Sequence, residues 1–287
     1  MLLAVVAGPI GIWARARRWW YLFPPGTDPP GLLPAMMIGY MANNVLPLRA
    51  GEVVRVFVVA RRWGRGFWTT VATSVIERIL DGLVIVGVLC ALLLLIPVPA
   101  PLVIGAITLL AIDVVVAAAL AAAAIWPVWF RRILERLTRP WPRVQAFLAR
   151  ILDTFVQGLD GIRTLRRLPA IIGWTGIVWI LPAFAAWSAL RASNLALPWV
   201  AGWAVLAFVG LSISVPSAPG YVGVFHFAAA KAVEIFGVTG TAALGFALVF
   251  HAAQFVPVTL IGWVYLLREN LSLGEAAHSH APQLPPA

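Results

Sequence analysis

Charged residues are scarce in this sequence, and their scarcity excludes the common soluble classes. Of the 287 residues, 11% are charged and 62% are hydrophobic, and the mean hydropathy is +0.93. Soluble domains carry about 25% charged residues. The composition therefore excludes a disordered chain, a collagen-like chain and an ordinary soluble enzyme.

Cysteine and the familiar catalytic motifs are also missing. Cys90 is the only cysteine, so the chain can form no intrachain disulfide, and no metal ligands lie near it. No glycine-rich phosphate loop is followed by Lys and Ser or Thr, and there is no Asp-x-Asp pair, His-Glu-x-x-His or Gly-x-Ser-x-Gly. We therefore expect no catalytic residue, no metal and no cofactor, and a protein that is not an enzyme.

Long stretches of the chain carry no charge at all. They cover residues 82–112, 168–190, 192–230 and 235–267. A helix that crosses the hydrocarbon core of a bilayer needs about 20 apolar residues. These stretches predict an all-α polytopic membrane protein.

The net charge of +10 comes from arginine, because only one of the 21 basic residues is a lysine. The arginines fall into three groups, at residues 15–18, 49–65 and 131–167, which alternate with apolar stretches. Cytoplasmic loops of membrane proteins are enriched in arginine and lysine. We therefore place all three groups in the cytoplasm and expect no nucleic-acid partner.

The first half of the chain predicts one hairpin and one interrupted segment. Residues 70–96 and 101–126 read as two spans joined by the uncharged, proline-rich linker 97–101. Residues 31–60 are too short for two spans and are preceded by two Pro-Pro-Gly breaks. We predict a re-entrant pair of short helices there, entering from the cytoplasm, with its non-helical backbone buried in protein or lining a cavity.

The second half repeats this order in the opposite orientation. A span at 170–190 is followed by short apolar segments at 198–215 and 221–236, and then by a span at 239–267. The prediction is about five full spans, two broken helix pairs and an inverted repeat with halves at about 1–96 and 169–268. Interrupted segments in matching positions of inverted halves indicate a transport site.

Two regions lie outside the spans. Residues 143–168 have helical apolar periodicity with a basic side, which predicts a cytoplasmic amphipathic helix. That helix either rests on an anionic leaflet or packs on the spans of its own chain. The single transmembrane domain covers residues 1–268, and we expect 269–287 to be a disordered cytoplasmic tail.

Ionisable residues inside apolar segments are functional candidates because they are costly there. Glu77, Arg78 and Asp81 lie within five residues of one span. Arg78 can pair with Asp81, which leaves Glu77 either protonated or facing another arginine. The alternative is a cluster near the start of the helix, shielded by lipid headgroups. Asp113 stands alone in its span, either paired with a distant arginine or protonated.

The first interrupted segment carries a second candidate set. Asn43 and Asn44 bring amides into an apolar stretch, and Glu52 is flanked at three-residue spacing by Arg49 and Arg55. An arginine guanidinium matches a phosphate. If Glu52 satisfies one arginine, the other is free for an anionic headgroup; the alternative is a salt bridge that holds the two short helices together.

The second interrupted segment adds a third set. Pro219, Gly220 and Gly223 precede a helix whose free N–H groups favour anions. Its first turn carries His226, and the last span carries His251 and Gln254. Histidines in membrane helices also form interhelical hydrogen bonds. The predicted substrate-binding residues are Asn43, Asn44, Arg49, Glu52, Arg55, Glu77, Arg78, Asp81, Pro219, Gly220, Gly223, His226, His251 and Gln254.

Three motifs stand in a recognisable order. They are Asn43-Asn44-x-x-Pro47-x-Arg49-x-Gly51-Glu52-x-x-Arg55, Glu77-Arg78-x-x-Asp81 and Pro216-x-x-Pro219-Gly220-x-x-Gly223-x-Phe225. Together they resemble the flippase-like transmembrane family, the membrane region of lysylphosphatidylglycerol synthases. The resemblance implies a multi-pass protein of the bacterial or archaeal cytoplasmic membrane that moves modified or glycosylated lipids between leaflets. Many members have Glu where this chain has His226.

We therefore predict a lipid flippase for an anionic or glycosylated lipid of the bacterial cytoplasmic membrane, with the C-terminus in the cytoplasm. Arg49, Arg55 and Arg78 would bind the headgroup phosphate, and nearby carboxylates would position them or exchange protons. The alternatives are a membrane-embedded lipid-phosphate transferase and a non-catalytic scaffold. Expected partners are a phospholipid or polyprenyl-linked lipid, a separately encoded glycosyltransferase or synthase, and a second copy of the chain.

Overall fold

The computed structural model describes residues 1–27, 29–47, 49–63, 66–158, 164–214 and 218–269, and its regular elements there are all helical. This confirms the all-α prediction. The α-helices in these ranges are α1 (Leu2–Leu22), α2 (Leu32–Val45), α3 (Gly51–Trp63), α4 (Phe67–Leu93), α5 (Ala100–Ile125), α6 (Pro127–Thr138), α7 (Pro142–Gly158), α8 (Leu168–Ala192), α9 (Trp199–Ile213), α10 (Val224–Glu234) and α11 (Gly240–Arg268).

Three segments of the described chain are long and apolar enough to cross a membrane. They are Ala100–Ala119 in α5, Leu165–Ala192 in and just before α8, and Gly240–Arg268 in α11. The protein is therefore a multi-pass membrane protein. Helices α1 and α4, with 21 and 27 residues, are also long but carry several charged side chains. The total of five spans stays a prediction.

Four short helices form the two interrupted segments. Helices α2, α3, α9 and α10 have 14, 13, 15 and 11 residues, fewer than the about 20 that a crossing requires. Helices α2 and α3 approach closely, since a Cβ built on Gly51 would lie 1.8 Å from the carbonyl oxygen of Gly39. The Oδ1 atom of Asn43 accepts a hydrogen bond from the Gly51 amide at 2.8 Å. The lack of a side chain at Gly51 thus permits this close approach.

The two interrupted segments contact each other. Arg49 Nη1 donates to the carbonyl oxygen of Ser214 at 3.3 Å. A Cβ built on Gly220 would lie 3.2 Å from the carbonyl oxygen of Asn44. The two breaks therefore lie next to each other. Pro216 lies outside the described residues.

Helix packing follows a similar order in both halves. In the first half α1 packs on α2, α2 on α3 and α3 on α4; in the second, α8 packs on α9, α9 on α10 and α10 on α11. Between halves, α1 packs on α8, and the contact of α2 with α11 has a counterpart in that of α9 with α4. The helices of the two halves are thus packed in the same order, although α1 also packs on α11 without an equally extensive contact between α8 and α4.

The buried apolar core has two parts, and α4 joins them. One part surrounds Trp19 and includes Ile76 of α4. The other surrounds Phe208 and includes Ile85 of α4. The charged residues of α4 lie between these two positions, so they are enclosed between two apolar clusters.

The region predicted to be cytoplasmic differs in part from its prediction. Helix α7 covers the first part of the predicted helix 143–168, residues 159–163 lie outside the described residues, and α8 begins at Leu168. Thr69 donates to the carbonyl oxygen of Thr154 at 3.4 Å, so α7 packs on the start of α4. Helix α6 was not predicted, because most of its residues were assigned only to the third arginine group, between the span 101–126 and the helix 143–168. The predicted tail was 269–287; Glu269 is described and pairs with Arg62 at 2.8 Å, whereas 270–287 lie outside the described residues.

The orientation can be tested by labelling single cysteines in intact cells. In a Cys90→Ala background, we expect Pro99→Cys to react with a membrane-impermeant thiol reagent and Arg139→Cys to react only after permeabilisation. Both side chains are exposed, so access depends on the side of the membrane. Labelling of position 139 in intact cells would contradict the cytoplasmic placement of the arginine groups.

Candidate functional site

A cluster of eight charged side chains lies where α1, α3 and α4 meet. The carboxylates are Glu52, Glu77 and Asp81. The arginines are Arg15, Arg18, Arg49, Arg55 and Arg78. Five positive charges against three negative charges leave a formal surplus of two positive charges. We call these eight residues the ion cluster.

Glu77 is the most deeply buried carboxylate of the ion cluster. Its Oε1 atom lies 3.1 Å from Arg18 Nη2, and its Oε2 atom lies 2.5 Å from Arg55 Nη1. Arg78 Nη2 lies 3.5 Å away. Of the two states that the sequence left open, the structure favours the one in which Glu77 faces other arginines.

Asp81 connects α4 to α1. Its two oxygens lie 2.8 Å from Arg15 Nη1 and 2.8 Å from Arg18 Nη1, and Arg78 Nη2 lies 3.3 Å away. The indole N–H of Trp179 donates to Oδ1 at 3.3 Å. The carboxylate is thus held by three helices, and the expected pair with Arg78 is one contact among several.

Glu52 connects α3 to the same cluster. Arg55 Nη2 lies 2.7 Å from Oε2, whereas Arg49 Nη2 and Arg78 Nη1 each lie 3.6 Å from Oε1. Glu52 is therefore flanked by both arginines of its segment, as the spacing predicted. Arg55 is 2% exposed and lies over the ring of Trp19 at 4.9 Å, so its guanidinium is enclosed between two carboxylates and an indole.

Sequence reasoning missed Arg15 and Arg18, which it assigned to a cytoplasmic loop. Arg18 is fully buried, whereas Arg17 beside it is exposed. The three-residue spacing of Arg15 and Arg18 places both on one face of α1. This spacing, together with Glu77, the carboxylate of α4 that had no assigned partner, could have predicted that both arginines belong to the cluster.

The ion cluster forms one wall of a cavity of about 490 Å³. Arg15, Arg49, Glu52, Arg78 and Asp81 line it, whereas Arg18, Arg55 and Glu77 lie behind this wall. Much of the remaining lining is apolar or aromatic and includes Ile85, Leu109, Leu206, Val209, Ile213, Phe225 and Phe250. A charged wall faces an apolar one, so the cavity suits an amphipathic molecule.

Two arginines on the cavity wall keep unused hydrogen-bond donors. The Nε atoms of Arg49 and Arg78 are buried and have no hydrogen-bond partner within the described part of the chain. Buried donors without partners cost free energy. A phosphate in the cavity would balance part of the positive surplus, and it would meet these Nε atoms only after the side chains rotate, because both atoms are shielded from the cavity.

Arg49 also has an unusual backbone. Its φ of 57° lies in the left-handed region, which costs a non-glycine residue on the order of 1–3 kcal/mol. This conformation occurs in the first break, next to the start of α3, where Arg49 donates to Ser214. The strain therefore accompanies the contact between the two interrupted segments.

The histidines of the second half bond to each other. His226 Nε2 lies 2.8 Å from His251 Nδ1, which joins α10 to α11. His226 Nδ1 accepts from the Gly223 amide at 3.4 Å, so the histidine caps its own helix. One of the N–H groups expected to bind an anion is thereby occupied. His251 lines the cavity, but Pro219, Gly220, Gly223 and His226 do not.

Side-chain hydrogen bonds join the last helix, α11, to the first half of the chain. Gln254 Nε2 donates to the carbonyl oxygen of Ala4 at 2.6 Å, and Asn44 Nδ2 donates to Thr259 Oγ1 at 2.7 Å. Gln254 and both asparagines, Asn43 and Asn44, also line the cavity. These side chains therefore position helices and face the candidate site.

Comparison with protein families gives a match over most of the chain. The family model described as the lysylphosphatidylglycerol synthase TM region matches residues 1–262. Searches of curated proteins and of solved structures each found no match. The matched region contains the ion cluster, both interrupted segments and nearly all of the last span. The chain belongs to the family of the lysylphosphatidylglycerol synthase transmembrane region.

Proposed function

We propose that this protein is a lipid translocase, which moves an anionic or glycosylated lipid between the leaflets of the cytoplasmic membrane. The amphipathic cavity is the observation that carries the proposal. Its charged wall suits a phosphate-containing headgroup, and its apolar wall suits the first part of an acyl or prenyl chain. The family membership supports a lipid-related function.

We assign headgroup binding to the arginines that line the cavity. Arg15, Arg49 and Arg78 are on its wall. Arg18 and Arg55 are buried behind the wall between carboxylates, so we assign them to positioning. Arg15 thus replaces Arg55 in the binding set that the sequence suggested.

The proposed architecture is an inverted repeat with two re-entrant helix pairs. The matching packing order of the two halves and the contact between the breaks support it. In this arrangement the cavity lies where the two pairs meet, within the membrane. A headgroup would pass through the cavity while its hydrocarbon chains remain in lipid.

Lipid movement by purified protein in liposomes tests the proposal. We expect the wild-type protein to transfer a fluorescent anionic phospholipid between leaflets faster than protein-free liposomes do. A charge-assisted hydrogen bond contributes about 1.5–3 kcal/mol, so Arg49→Gln should lower apparent headgroup affinity by about tenfold to a hundredfold. Arg131→Gln is the control, because Arg131 is exposed on α6.

Two outcomes would favour the alternatives. If the lipid phosphate is chemically altered instead of moved, the protein is a membrane-embedded transferase. If neither occurs and a glycosyltransferase or synthase co-purifies with the protein, the scaffold hypothesis is preferred. If the control variant Arg131→Gln loses transfer as Arg49→Gln does, the loss is not specific to the arginines that line the cavity.

A further inference from the structure

Asp113 is a buried carboxyl on a helix that otherwise faces outward. It is 7% exposed, whereas its neighbours Ile112, Val114 and Val115 are 55%, 55% and 68% exposed. It belongs to the span Ala100–Ala119, which is mostly unburied by protein. One polar side chain of this span is therefore turned inward, toward α4.

The α4 backbone leaves room for this carboxyl. A Cβ built on Gly82 would lie 1.8 Å from Asp113 Oδ2, so a larger residue at position 82 would displace it. Gly82 follows Asp81, a member of the ion cluster, which acts electrostatically on Asp113. Gly82 and Leu109, one helical turn before Asp113, both line the cavity.

The Asp113 carboxyl has no counter-charge. Its Oδ2 atom is buried without a hydrogen-bond partner, and no ion pair joins Asp113 to a basic residue within the described ranges. Of the helices that pack on α5, α4 carries Glu77, Arg78 and Asp81, and α9 carries no charged residue. Helix α6 presents its charged residues Arg131, Arg132, Glu135 and Arg136 at the cytoplasmic end of α5.

An ionised carboxylate in this position is unfavourable for two reasons. It would be removed from water without a partner, and it would lie near the like charge of Asp81. Arg78 is already shared among Glu52, Glu77 and Asp81. Both effects favour the neutral, protonated acid while the ion cluster keeps the arrangement described above.

We propose that Asp113 is a proton-binding site that couples lipid movement to a proton gradient; this rests on the proposed translocase function. With the proton on Asp113, Arg78 and its neighbours keep their arrangement around Asp81 and the headgroup phosphate. When the O–H bond of Asp113 breaks, the proton passes to water in the cavity. The new carboxylate then competes for Arg78, and the hold on the phosphate weakens.

Infrared spectroscopy tests the protonation without any transport assay. We expect the purified wild-type protein at neutral pH to show a C=O stretching band of a protonated carboxyl, and D113N to lack it. Asn has nearly the shape of a protonated Asp and preserves the fold. D153N is the control, because Asp153 is exposed beside Arg131 and should leave the band unchanged. An identical band in wild type and D113N overturns the proposal.

A pH gradient imposed on the liposomes tests the coupling. The wild-type protein should accumulate the labelled anionic lipid in one leaflet, and reversal of the gradient should reverse the asymmetry. D113N stays neutral at any pH and keeps its hold on the phosphate, so it should move the lipid more slowly than the wild type and should show no driven asymmetry. A driven asymmetry in D113N, or its absence in the wild type while lipid still moves, overturns coupling at Asp113. If the wild-type protein moves no lipid at all, the translocase function itself fails, and the infrared result shows separately whether Asp113 is protonated.

Discussion

Arg18→Ala will strongly destabilise the protein. Removal of the fully buried Arg18 takes one partner from Glu77, at 3.1 Å, and one from Asp81, at 2.8 Å, and leaves both carboxylates buried with fewer arginines. The loss of one member of a buried ion pair costs about 3–5 kcal/mol, because the remaining charge stays desolvated. Thermal unfolding in a mild detergent should show the loss.

A matched control lies one residue away. Arg17 has the same side chain in the same helix but is exposed, so Arg17→Ala should unfold close to the wild-type temperature. Arg78→Ala should fall between the two, and Arg78→Lys should be milder, because Arg78 is 35% exposed and shares its carboxylates with other arginines. Equal unfolding temperatures of Arg17→Ala and Arg18→Ala would mean that the ion cluster does not stabilise the fold.

Gly51→Ala will separate the helices of the first interrupted segment. The added methyl would lie 1.8 Å from the carbonyl oxygen of Gly39 and 2.6 Å from Asn43 Oδ1. A backbone carbonyl cannot move aside as a flexible side chain can, so α3 must shift away from α2. Overpacking of this kind costs about 1–3 kcal/mol, and the shift would also move Glu52 away from the ion cluster.

Gly51→Ala should change both the unfolding temperature and the rate of lipid transfer. We expect Gly51→Ala to unfold earlier and to lose most of its transfer activity, because Arg49 and Glu52 flank the altered residue. Gly87→Ala is the control: Gly87 lies in α4 with open space around it and should tolerate the methyl. Wild-type activity in Gly51→Ala would show that the close approach of α2 and α3 is dispensable.

The sequence was informative where local rules determine the structure. The charge-free stretches located α5, α8 and α11, since hydrocarbon selects for apolar residues. The proline-rich linker 97–101 separated α4 from α5, and proline-containing or glycine-containing breaks located the short helices. Each of these features depends on neighbouring residues and is therefore visible without knowledge of the fold.

The parts that sequence reasoning missed depend on contacts between distant residues. Arg18 and Glu77 are separated by 59 positions, and nothing near Arg18 distinguishes it from the exposed Arg17. For His226 the sequence left an anion site and an interhelical hydrogen bond both open, and only the structure identifies His251 as its partner. Helix packing, and not sequence spacing alone, determines which arginines line the cavity and which lie behind its wall.

Lipid headgroups pass through the cavity in the proposed mechanism. A side chain that fills the cavity should therefore stop lipid transfer. Gly11 lines the cavity, and a Cβ built there has no atom within 4 Å, so Gly11→Phe should place its ring in the cavity without disturbing the backbone. Gly173→Phe is the control on an exposed part of α8. We predict that Gly11→Phe folds normally but transfers lipid no faster than protein-free liposomes, while Gly173→Phe retains transfer. A folded Gly11→Phe protein with wild-type transfer would contradict passage through this cavity.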